Sequence, residues 1–61
     1  MKSVKQLIDE MRPGPVRAMY SRIYYNLDLA IAQEEFAPTC LDLIAANAEA
    51  LKTIIEKKKV A

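Results

Sequence analysis

The sequence predicts an all-α domain: a short N-terminal helix followed by an antiparallel αα-hairpin that dimerises into a helical bundle. Three observations point there. The 61 residues contain one Gly and three Pro, all confined to two breaks, Arg12-Pro13-Gly14-Pro15 and Ala37-Pro38-Thr39, while nearly every other position accepts a helix. Apolar residues recur at spacings of three and four, and β-branched residues are scattered instead of alternating. Finally, 52 % of the chain is apolar, yet one Cys and no His leave neither an internal disulfide nor a Cys/His metal site to stabilise so small a domain. Self-association is the remaining remedy. Residues 1–61 read as one helical domain, with helices over about 3–12, 15–36 and 38–58.

Segment one opens with Ser3 and Gln6 in the S-x-x-Q spacing of a capping box, whose side chains satisfy two otherwise unpaired N–H groups. Val4, Leu7, Ile8 and Met11 follow at i, i+3, i+4 and i+7 and share one face. So short a helix does not persist alone in water and must dock. Pro13 and Pro15 then fix two φ angles and remove two N–H donors, which reorients the chain sharply.

Segment two begins with Pro15 in the first helical turn, where a missing N–H costs nothing. Its expected seam is Tyr20, Ile23, Tyr24, Leu27, Ala30 and Ile31. Ala37, which precedes Pro38, is pushed away from the α region, so the chain is expected to break there, a kinked continuous helix being the alternative. Segment three carries two adjacent stripes. Leu41, Ile44, Ala48, Leu51 and Ile55 form the first, and Cys40, Leu43, Asn47, Ala50 and Ile54 the second, both at heptad spacing. Counting outward from a tight turn sets Ile31 against Ile44, Tyr24 against Leu51 and Tyr20 against Ile55. One partner helix cannot cover both stripes. The second stripe is therefore the expected oligomer interface, closing a four-helix bundle by two-fold symmetry.

Net charge is only +1, but the distribution is uneven. Residues 1–25 carry +3, residues 26–51 carry −5 with no base among them, and residues 52–61 carry +3. Folding the hairpin gathers Arg17, Arg22, Lys52, Lys57, Lys58 and Lys59 at its open end, with Arg12 nearby, and leaves Glu34, Glu35 and Asp42 at the turn. With Tyr25 pointing away from the seam, these bases are the candidate contacts for a partner or a nucleic acid; complementing the helix C-terminus is the plainer role of the lysine run. Cys40 sits on an apolar stripe without a His partner and reads as a small buried residue. Asn47, the one polar residue of its stripe, can set register by demanding a hydrogen-bond partner.

The chain lacks the His for a catalytic triad, a glycine-rich phosphate loop and any recognisable carboxylate spacing for metal, so neither enzyme activity, a cofactor nor a metal is expected. No apolar run approaches a membrane span, and Asp9-Glu10 follow Leu7-Ile8 where a signal peptide would stay apolar, so a cytoplasmic protein is expected. What remains is a small regulatory protein, a homodimeric helical bundle that binds a larger protein. The alternative is a small dimer that binds nucleic acid through the basic open end.

Overall fold

The computed structural model describes the backbone of residues 1–60 and the side chains of residues 1–58. The described residues form three α-helices and no strand: α1 (Val4–Asp9), α2 (Pro15–Ala32) and α3 (Ala37–Val60), with a 3-10 turn, Glu34–Phe36, between the last two. No helix among them is long and apolar enough to cross a membrane.

The capping box starts α1. The Ser3 hydroxyl accepts from the Gln6 N–H at 3.2 Å, and the Ser3 N–H donates to Gln6 Oε1 at 2.8 Å. Lys2, ahead of the helix, pairs with the C-cap residue Glu10 at 2.7 Å and so ties the two ends of α1 together. The helix stops at Asp9, short of the expected Arg12. Pro13 keeps Arg12 out of the α region, so the chain leaves the helix before reaching it. Gly14 then takes φ 158° and ψ −175°, a corner of backbone space that glycine reaches without a Cβ clash. Pro15 opens α2 at its first position, and Ala18 donates back to the Gly14 carbonyl at 3.0 Å.

The reversal between α2 and α3 comes earlier than the sequence suggests. Gln33, not Ala37, leaves the helix, with φ −131° and ψ 91°, and Ala37 is itself helical at φ −54° and ψ −46°. Pro38 therefore lies in the first turn of α3 instead of ending α2. The physical reason is the carbonyl of Glu34. Pro38 has no N–H to donate to it, so the Ala37 N–H takes it in a 3-10 bond, and residues 34–37 become the entrance to α3. Glu34 and Glu35, in the 3-10 turn that leads into α3, place negative charge ahead of its positive end.

The helices form a thin plate of 41 × 27 × 17 Å. Its radius of gyration, 12.7 Å, exceeds the about 10.5 Å of a compact domain of this length. α2 and α3 pack as the antiparallel hairpin, and α1 lies on α2. Tyr20 and Ile23 line one groove with Leu51 and Ile55, which agrees with the register counted from the turn.

The hairpin is nevertheless rotated from the expected seam. A line of covered positions on α3 runs through Cys40, Ile44, Asn47, Leu51 and Ile54, with Ile55 half-buried beside it, and one on α2 through Val16, Met19, Ile23, Asn26 and Ala30, with Arg17, Tyr20 and Leu29 half-buried beside it. At roughly 100° per residue, that line on α3 runs between the two expected stripes and takes members from each. Tyr24, Leu27 and Ile31, expected in the seam, are exposed, as is Leu41. Two of the buried positions between the helices, Ala30 and Cys40, are small, and only Ile8, Ala30, Cys40 and Leu51 are buried among the described residues.

Candidate interaction surface

Rotation of the hairpin divides its apolar residues between two faces. Tyr20 and Ile23 share their groove with Ala48 and Lys52, so the Tyr20 side of α2 and the Ala48 side of α3 belong to one face. The same helical arithmetic adds Tyr24, Leu27 and Ile31 from α2 and Leu41 from α3 to it. Ile31 is the most open of them, at 77 % of full exposure. The opposite face holds Leu43 and Ala50, both exposed.

α1 docks on the first face. Its apolar side, Val4, Leu7, Ile8 and Met11, lies beside Tyr20, Ile23, Tyr24 and Leu27 and encloses a groove of about 450 Å³. The capping box and the Lys2–Glu10 pair hold this six-residue helix in shape, and the Pro-Gly-Pro corner aims it. Ile8 is the one residue of α1 that becomes buried, while Val4 and Leu7 stay exposed along the rim. The groove therefore has apolar walls and an open mouth.

The expected oligomer stripe does not form a single surface. Cys40 is only 3 % exposed, covered by its own chain, so its sulfur is not presented to a neighbour. Asn47 is half-buried and donates its side-chain amide to the Leu43 carbonyl of its own helix at 2.8 Å. Ile54 is half-buried, and only Leu43 and Ala50 stand free. α2 carries a counterpart in Asn26, half-buried and bonded to the Arg22 carbonyl at 2.8 Å. By the hairpin register the two asparagines lie at about the same level. Asn26 has a sequence signal that could have found it, the 3-4-3-4 spacing of Val16, Met19, Ile23, Asn26 and Ala30.

The basic residues lie at the open end but do not share one face. Arg12, Arg22, Lys52, Lys57 and Lys58 are exposed and Arg17 is half-buried; the Lys59 side chain lies outside the described residues. Arg17 and Lys52 flank the Tyr24–Leu27 face, whereas Arg22 and Lys57 point toward the other. Lys2–Glu10 is the ion pair among the described residues, so none of the open-end bases is held by a carboxylate there. Tyr25 is 65 % exposed, and α1 lies beside Tyr20 and Tyr24 instead, with Tyr24 still open to solvent. The turn end collects Asp28, Glu34, Glu35 and Asp42, all exposed. Among the described residues no three His, Cys, Asp or Glu side chains gather as metal ligands. No family model matches the chain, and comparison with the curated proteins and with the solved structures finds no match either.

Proposed function

We propose that this chain is a non-enzymatic interaction protein: a homodimeric helical bundle whose remaining surface binds a larger protein, in the manner of a small adaptor or inhibitor. The observation that carries this reading is the ratio of apolar content to burial. Half of the residues are apolar, yet only four side chains are buried among those described, and none of the large ones is fully enclosed. A monomeric protein rarely leaves a contiguous apolar patch larger than about 600 Å² in water. Two apolar faces allow one to be used by a second copy and the other by a partner. Sedimentation equilibrium across the micromolar range tests the first half, with a mass near twice 6.9 kDa expected. A stable, fully helical monomer at those concentrations removes the dimer.

A second reading has an observation of its own. Arg22, Lys57 and Lys58 are exposed at one end and free of ion pairs among the described residues, an arrangement that suits phosphate. Binding of nucleic acid there predicts retention on a polyanion column that falls steeply with salt. Retention unchanged after neutralising Arg17, Arg22 and Lys57 to Lys59 rejects this reading.

A further inference from the structure

We propose that the second copy seats on the side of the hairpin away from α1, where α3 packs antiparallel on α3 of the other chain and carries Lys57 of each into the acidic turn end of its neighbour. This rests on the homodimer proposed above and specifies its surface and its orientation.

Rotation of the hairpin leaves α3 with an unused line of contact. Thr39, Leu43, Ala46, Ala50, Thr53 and Lys57 recur at spacings of four and three, lie about 110° around the helix from the Cys40–Leu51 line, and are all exposed. On α2 the same side carries exposed Arg22 and half-buried Leu29. α1 packs on α2 and not on α3, and it lies against Tyr20, Ile23, Tyr24 and Leu27, where it stands in the way of a flat neighbour. The side away from α1 is therefore the one on which two hairpins can meet along their whole length.

Surface area and spacing both suit a second copy. A compact monomer of 6.9 kDa exposes about 4,000 Å² by the scaling of surface with mass. This chain exposes 5005 Å². The surplus is about 1,000 Å², and a standard interface removes about 800 Å² from each partner. The line on α3 also reads the same in both directions about Ala48, as a two-fold contact requires: Ala46 meets Ala50 of the second copy, Leu43 meets Thr53, and Thr39 meets Lys57. Two alanines at the crossing let the helix axes approach to the low end of the roughly 8–10 Å range. The Thr53 hydroxyl already donates to the Glu49 carbonyl at 3.1 Å, so it brings no unpaired donor against Leu43 of the second copy.

Charge selects the orientation. Stacked turn on turn, the chains would set Asp42, Glu34 and Glu35 against their own kind at one end and Arg22 and Lys57 against theirs at the other. Turned antiparallel, Lys57 comes opposite Thr39 of the second copy, within about one helical turn of its Asp42, and this contact occurs twice per dimer. Arg22 is carried toward the same acidic end. Within one chain Asp42 and Lys57 are separated by about 22 Å of helix, beyond the roughly 8–10 Å over which salt lets charges interact. Any coupling between them therefore reports contact between chains.

Sedimentation equilibrium on the full chain, with helix content followed by circular dichroism, tests the proposal. Ala50→Glu should weaken the dimer at least about tenfold by placing a charge at the crossing, with helix content kept because Glu is a good helix former. Ile31→Glu, on the α1 side, should leave association unchanged, and a loss there as large as that from Ala50→Glu overturns the choice of face. Lys57→Asp and Asp42→Lys should each weaken association about fivefold or more, since symmetry breaks each contact twice, and the two together should restore it to near the unaltered level. If Ala50→Glu fails to fold, this charge pair still decides the matter, because both of its positions are exposed. A double variant no better than the singles overturns the antiparallel arrangement. An unaltered chain that sediments as a monomer ends the homodimer itself, a different result from a dimer that ignores both tests.

Discussion

Leu51→Ala is the substitution that weighs most heavily on the hairpin. Leu51 is 5 % exposed and is the largest side chain of the buried set on α3, at the level of Tyr20 and Ile23. Truncating a buried Leu destabilises by about 2–5 kcal/mol, the spread depending on how far the surroundings relax into the space. Here the site borders an open groove of about 460 Å³, so water and neighbouring side chains reach the vacated volume and the effect belongs near the lower end, about 2–3 kcal/mol. A 61-residue chain holds about 3–9 kcal/mol in total, so this is a large share of it. Urea titration followed by circular dichroism, at fixed protein concentration, measures the change through the transition midpoint. Leu43→Ala, at an exposed position of the same helix, serves as the control and should lose less than half as much. A loss below about 0.5 kcal/mol for Leu51→Ala would refute the packing described for α2 and α3.

Three further outcomes follow from the same geometry. Ser3→Ala removes the capping box and should cost about 1 kcal/mol, seen as lost α1 helicity and increased binding of an apolar dye to the uncovered Tyr20–Leu27 surface; unchanged dye binding contradicts the docking of α1. Cys40 should resist thiol labelling in the folded chain and react readily in urea, and labelling at the unfolded rate without denaturant would contradict its burial. Asn47→Leu replaces an amide satisfied only by its own helix with an apolar group on a half-buried seam; it should stabilise by about 1 kcal/mol and broaden the distribution of oligomers, and destabilisation would show that the amide has a partner across the seam.

The parts of the fold legible in the chain are those fixed by local chemistry. Ser3 with Gln6 locates the start of α1, and Pro15 that of α2, because each satisfies a backbone requirement within four residues. Register was legible as well, since counting from a short turn constrains it strongly: Tyr20 and Ile55 do line one groove. Rotation about the helix axes was not legible. Two parallel stripes on α3 with identical spacing are compatible with a neighbour on either, or on the line between them, and the chain uses that line, burying Cys40 and Leu51. The turn lies earlier than the proline suggests for a related reason. Pro38 marks where a helix cannot continue with full hydrogen bonding, but a first-turn proline meets that condition as well as a final break does, and the chain uses it that way. The candidate interface stripe shares that ambiguity: Cys40 reads as a buried residue and is buried, but its own chain covers it, while Leu43 of the same stripe stays exposed.

A slab only 17 Å thick is less than two helix diameters through, so no amide in it lies deeper than a single layer of side chains. Hydrogen–deuterium exchange on an isolated subunit would consequently find no slow kernel, only graded fraying from the ends of each rod inward. Any set of protons that survives for hours would be borrowed protection, supplied by a neighbouring molecule, and its map along the rods would trace that neighbour's footprint.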